Sequence, residues 1–246
     1  MDSSEYLVML LRLTKRALEE YNNWGENEIY RPTHEELSKK QTFDYQISEA
    51  KNMLEVLNKK VNICRNCSLG NNRLKAVFGV GSPNASLMFI GEGPGYDEDH
   101  KGYPFVGKSG QLLTKIIEAM GQTRETVYIT NIVKCHPMID PLNPEKRSND
   151  RPPTFEEIKA CKPYLDMQIE IINPKVIVTL GAFSTKSILN TEEPISKIRG
   201  NFREYKNIKL MPTYHPSAIL RNSNLKKFIW EDMKKVIHSI EDIRET

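Results

Sequence analysis

From Leu74 onward the apolar residues of this chain switch repeatedly between two spacings, and that switching limits its fold more than any other feature. "SLMFIG", "TVYITNIVKC", "KVIVTLG" and "IKLMPTYHP" are short runs rich in β-branched and aromatic residues and read as strands. Between and after them the spacing turns helical. "SGQLLTKIIEAMG" puts Leu112, Leu113, Ile116, Ile117 and Met120 inward, and "LKKFIWEDMKKVIHSIEDI" does the same with Leu225, Ile229, Met233, Val236 and Ile240. "AFSTKSILN" reads as a short helix, and "TFEEIKACKPYLDMQIEIINP" as a longer one opened by a Thr154–Glu157 capping box. Pro163 lacks an N–H, so a kink or break is expected there. Strands alternating with helices give a mostly parallel sheet covered on both faces. Ligands in such sheets sit at the carboxyl ends of the strands, which puts weight on the loops after Ile90, Ile129 and Met211.

The first sixty residues stand apart. They carry a net −2, whereas residues 61–246 carry +5, an excess that permits a polyanionic partner without demanding one. We therefore divide the chain into a helical extension, 1–60, and a main domain, 61–246. Within the extension, Phe43, Ile47, Ala50, Leu54, Leu57 and Val61 share one face of a helix that runs into Cys64. No run is long enough to span a membrane. The apolar stretch "EYLVMLLRLTKRALEE" is too charged for a signal peptide, so a cytoplasmic protein is expected.

In such a compartment disulfides are not expected of Cys64, Cys67, Cys135 and Cys161. A C-x2-C pair followed after 67 residues by a third cysteine, and after 25 more by a fourth, can make a four-thiolate site. Zinc and a [4Fe–4S] cluster both accept that set, and spacing does not choose between them. The alternative is four unrelated buried thiols. Lys134 and Arg65 lie beside the cysteines in sequence and would suit a negatively charged cluster.

"GEGPG" after a strand suggests a dinucleotide fingerprint but fails it, because Tyr96 stands where the third glycine belongs. Asp97, Glu98 and Asp99 would also repel a pyrophosphate. A tight turn with carboxylates suits a small neutral ligand, which Gly93 and Gly95 let the backbone approach. Phe105 follows, as core or as a plate for a planar ring. Asn131 sits in an otherwise apolar strand, and its amide offers the donor and acceptor needed to read one edge of a base. His215 lies at a strand end before "PSAILRN", a loop able to touch phosphates and push a leucine into a base stack.

With these residues on view, "GEGPGYDED", "GYPFVGKSGQLL", "VYITNIVKC", "HPSAILRN" and the four cysteines resemble the family-four, iron–sulfur uracil-DNA glycosylases over about residues 62–240. The resemblance implies a three-layer α/β/α sandwich with a central, mostly parallel four-stranded sheet. It implies hydrolysis of the N-glycosidic bond of deoxyuridine in DNA, single- or double-stranded, by a monomer. It also implies a structural [4Fe–4S] cluster on Cys64, Cys67, Cys135 and Cys161. Carried over by motif, Glu92 and His215 are the catalytic candidates. Gly93, Glu98, Phe105 and Asn131 bind uracil, Glu98 near C5 where it helps reject thymine. Ser217, Leu220 and Arg221 contact DNA, and Asp97 and Asp99 are mainly structural.

Three departures matter. Many glycosylases of the wider superfamily place a water-activating Asp where this chain has Gly93, which leaves Glu92 as the candidate base. Ala218 replaces an aromatic residue common in that loop. The segment between Cys135 and Cys161 is long, reads as a surface loop, and offers Lys146, Arg147 and Arg151 to DNA. His100 follows the first motif without an inserted basic loop and is given no covalent role. The competing functional class is a cysteine-metal module that holds nucleic acid without cleaving it.

Overall fold

The structure is a computed structural model and describes residues 34–242. In chain order its elements are α1 (His34–Ile63), α2 (Leu69–Asn72), β1 (Val80–Gly81), β2 (Leu87–Gly91), α3 (Tyr96–Lys101), α4 (Lys108–Ala119) and β3 (Tyr128–Asn131). There follow α5 (Phe155–Ile172), β4 (Val176–Leu180), α6 (Ala182–Leu189), α7 (Ile195–Ile198), β5 (Arg203–Tyr205), β6 (Ile208–Thr213), α8 (Pro216–Arg221) and α9 (Lys226–Asp242). By packing, the chain divides between Asp44 and Tyr45. Among the described residues no helix is long and apolar enough to cross a membrane.

The strands form one sheet in the order β1-β3-β2-β4-β6-β5. The four central strands are parallel and are the four expected from the sequence. The sheet nevertheless has six strands rather than four, because β1 and β5 pair antiparallel at its two edges. Each edge strand is only two or three residues long and half-exposed, too short to show an alternation of side chains.

Alternate side chains of the strands enter separate cores. Phe89, Ile129, Val178 and Met211 face Leu113 and Ile117 of α4 and Ile229, Met233 and Val236 of α9. Met88, Tyr128, Ile177 and Leu210 face Leu54, Leu57 and Val61 of α1 and Leu165 and Ile169 of α5. Both faces are covered, which defines a three-layer α/β/α sandwich. The apolar face of α1 is buried from Leu54 onward, while Phe43 stays exposed. The capping box of α5 forms as expected: Thr154 Oγ1 accepts from the Glu157 N–H at 3.3 Å, and Glu157 Oε2 accepts from the Thr154 N–H at 2.8 Å. Helix α5 does not break at Pro163. Burial of Leu165, Ile169 and Ile172 beyond the proline rewards continuation of the helix more than one lost hydrogen bond opposes it.

Candidate active site and thiol cavity

The site grows from the sheet register. Gly91 and Asn131 end neighbouring parallel strands and are paired side by side. A side chain at position 91 would place its Cβ 2.4 Å from Asn131 Oδ1 and 2.5 Å from Phe105 Cζ. Gly91 therefore makes the notch in which the Asn131 amide and the Phe105 ring meet, a role that its place at a strand end did not advertise. Asn131 and Phe105 are both buried.

Phe105 is presented by a backbone with φ +54°, a conformation that a bulky residue seldom adopts. The carboxylate of Glu98 holds the loop beyond it. Its Oε1 accepts from the N–H groups of Val106 (2.9 Å) and Gly107 (3.0 Å), and its Oε2 from Gly95 (3.2 Å). Glu98 is thus committed to three backbone donors on the loop and turn around the pocket. Asp99 is likewise occupied, accepting from the Leu74 and Lys75 amides.

His215 caps α8 from the end of β6. Its Nδ1 accepts from the Ser217 N–H at 3.1 Å and faces the Ser217 hydroxyl at 2.7 Å. An imidazole that accepts at Nδ1 carries its single proton on Nε2 when neutral. Burial first, and Arg221 second, push its pKa down to about 4, so the neutral form prevails near pH 7. The ring lies 5.7 Å from the Phe105 ring, centroid to centroid. Gly181, at φ +93°, allows the turn after β4 to come close, since a Cβ there would stand 3.0 Å from the His215 Cβ.

Glu92 follows the notch. Burial raises its pKa from 4.5 to about 7. Its backbone is fixed from below, where the Val133 N–H donates to the Glu92 carbonyl at 3.3 Å. At Gly93 a Cβ would stand 2.9 Å from Val133 Cγ2, so the turn packs against the tail of β3 too closely for a side chain. Leu220 and Arg221 lie exposed on α8, while Ser217 serves His215. Arg151 is held by Glu157 (2.6 Å), whereas Lys146 and Arg147 are exposed, Arg147 lying 4.5 Å above the Tyr96 ring.

The four cysteines are free thiols and line one cavity with Gly70, Arg73, Lys134 and Tyr164. The free space at its centre is narrow, about 10 Å³, and the cavity is partly open to solvent. Among the described residues no three Cys, His, Asp or Glu side chains converge as a single-ion site requires. The sulfurs instead surround a void. Arg73 Nη1 donates to Cys135 Sγ at 2.9 Å, whereas Arg65 is exposed and donates to the Cys64 carbonyl. Arg73 thus takes the place that sequence proximity had suggested for Arg65. Lys134 is buried, donating to Thr130 Oγ1 (2.6 Å) and the Asn131 carbonyl (2.7 Å). Gly70 is needed beside the C-x2-C segment, because a Cβ there would stand 2.6 Å from the Cys64 carbonyl oxygen. Four thiols, two cations and a void fit a negatively charged cysteine-ligated group.

Residues 78–234, which span the sheet and the cluster at its strand ends, match the family model of the uracil DNA glycosylase superfamily. A type-4 uracil-DNA glycosylase of Sulfurisphaera tokodaii is 47% identical over 193 residues, 74% of this chain and 83% of that protein. One from Saccharolobus solfataricus is 44% identical over 74% of this chain and 84% of its own length, and one from Thermotoga maritima 42% over 74% and 92%. The chain belongs to the type-4 uracil-DNA glycosylase family.

Proposed function

We propose that this chain removes uracil from DNA by hydrolysing the N-glycosidic bond of deoxyuridine, leaving an abasic site. One observation carries the reading: the buried Asn131 amide and the Phe105 ring close together over Gly91, and the neutral His215 ring stands 5.7 Å from Phe105. A base inside a duplex must be extruded to reach such a cluster. Phe105 would stack on it, and Asn131 would pair with N3–H and O4, the pattern that separates uracil from cytosine. As the C1′–N1 bond breaks, N1 keeps the electron pair and charge builds on O2. His215 Nε2–H would meet that charge, a donor worth roughly 3–4 kcal/mol in comparable oxyanion sites. A neutral donor of this kind loses no proton in the step. Glu92, ionised above about pH 7, would face the developing positive charge of the sugar and the attacking water. Glu98 bears on thymine rejection through the loop it holds.

Leu220 would wedge the stack, with Arg221 and Lys146 toward the phosphates. Cys64, Cys67, Cys135 and Cys161 would hold a [4Fe–4S] cluster, the group that the type-4 resemblance implies for this four-thiol set, with Arg73 and Lys134 beside it to suit its negative charge. When bound, such a group supplies cross-linking of distant segments rather than a step of bond cleavage. A non-catalytic module would have no use for a pre-oriented neutral imidazole.

The test is uracil release from a deoxyuridine oligonucleotide, with His215→Ala alongside. We expect release by the parent chain and a loss of about 10²–10³-fold in the variant. Full activity of His215→Ala would remove the histidine from the mechanism, and no release by the parent would overturn the activity.

A further inference from the structure

We propose that Arg124 is a positioning residue for uracil excision, acting through Phe105. This rests on the reading of the pocket given above. Arg124 lies between α4 and β3 and bonds to the backbone of the loop that carries Phe105. Its Nη2 donates to the Pro104 carbonyl at 2.7 Å. Its Nη1 donates to the Phe105 carbonyl and to Thr114 Oγ1, each at 3.3 Å. The Thr114 hydroxyl in turn donates to the Gly110 carbonyl at 3.1 Å, which ties the guanidinium to the first turns of α4.

Two successive carbonyls are therefore drawn toward Arg124, while the next two amides, of Val106 and Gly107, are drawn toward Glu98. Phe105 lies between these opposed pulls. Its left-handed backbone is what the two clamps together impose, since a phenylalanine released from them would relax toward negative φ. Helix α4 accepts the resulting Phe105 carbonyl only because residue 110 is glycine, whose Cβ would otherwise stand 1.9 Å from that oxygen. The planar fork of arginine suits two adjacent carbonyls, whereas the single ammonium of lysine would satisfy one of them well. With the clamp in place the ring fills the space beside Gly91 and stands against His215. Without it the ring would swing away from the face that stacks on the base, and a misplacement of about 1 Å can cost on the order of 10²-fold.

The experiment is a double-mutant cycle on single-turnover uracil release, using the parent chain, Arg124→Ala, Arg124→Lys, Phe105→Ala and the two combined variants. Arg124→Ala should be slower by about 10- to 100-fold, with Arg124→Lys between it and the parent. In the Phe105→Ala background neither change should slow release further, because the group through which Arg124 acts is already gone. Losses that multiply in the combined variants, or an Arg124→Ala rate equal to the parent's, would overturn the proposal. If Arg124→Ala does not fold, the Arg124→Lys pair decides by the same criterion. Amide hydrogen exchange separates the clamp from the activity. Arg124→Lys should speed exchange at Val106 and Gly107 whether or not the parent releases uracil, and unchanged exchange there would overturn the clamp itself.

Discussion

Burial pushes Glu92 and His215 alike toward their neutral forms, yet with opposite consequences. In the proposed mechanism the neutral form of His215 is the donor, and a value lowered to about 4 keeps it available across the neutral range. The same mechanism needs Glu92 as the carboxylate, which a value raised to about 7 withholds in mild acid. The uracil-release rate should therefore fall about tenfold per unit below pH 7 and level off above it, with Glu92→Gln slow and free of that inflection. Stability should run the other way. The folded value lies above the unfolded 4.5, so the folded state binds the Glu92 proton more tightly. That contribution is complete below about pH 4.5 and is lost as the pH rises through about 7. Glu92→Gln should then be more stable than the parent near pH 8 and little different near pH 4 in denaturant titrations. At this scale the sequence offered Glu92, Asn131 and His215 as candidates by type and place, and the fold sets Asn131 and Phe105 together over Gly91. The sequence did not name Gly91, Gly110 or Arg73, whose work is to leave room or to reach a sulfur across the fold.

Elements set the spacing between those groups. The register that pairs Gly91 with Asn131 follows from two apolar strands buried on both faces, and such runs are legible in a sequence. The tail of β3 is harder to read. "NIVKC" looks like continuing strand, but regular structure ends at Asn131 and the chain passes beneath the turn that carries Glu92 and Gly93. That passage explains why glycine stands at position 93. Gly93→Asp should not create a better water-activating group but should slow uracil release, since its Cβ would stand 2.9 Å from Val133 Cγ2. Adding Val133→Ala should recover part of the loss; a Gly93→Asp variant faster than the parent would contradict the packing. Helix α5 depends on its cap in a similar way. Thr154→Ala removes the acceptor for the Glu157 N–H and should cost about 1 kcal/mol by chemical denaturation. The edge strands β1 and β5 and the unbroken passage through Pro163 were not legible, because tertiary pairing and burial decide them.

Across the whole molecule the thiol cavity joins parts that the chain keeps far apart. Cys64 and Cys67 lie between α1 and α2, Cys135 on the tail of β3, and Cys161 within α5. Spacing alone gathered them as a possible set, but only the fold shows Arg73 and Lys134 beside the same void. Lys134 donates to the Asn131 carbonyl, so the wall of the cavity is also the support of the pocket. A bound group here would close long loops and stabilise the β3 tail along with Asn131. Protein purified without chelator should contain iron and acid-labile sulfide in about equal amounts if the group is a [4Fe–4S] cluster. Cys135→Ser should lose most of both, unfold at lower denaturant than the parent, and release uracil more slowly. The loss of activity should follow the loss of stability because the same segment carries Cys135 and Asn131. A colourless, zinc-loaded parent with full activity would reject the iron assignment, and a Cys135→Ser variant with unchanged stability would reject the cavity as a staple.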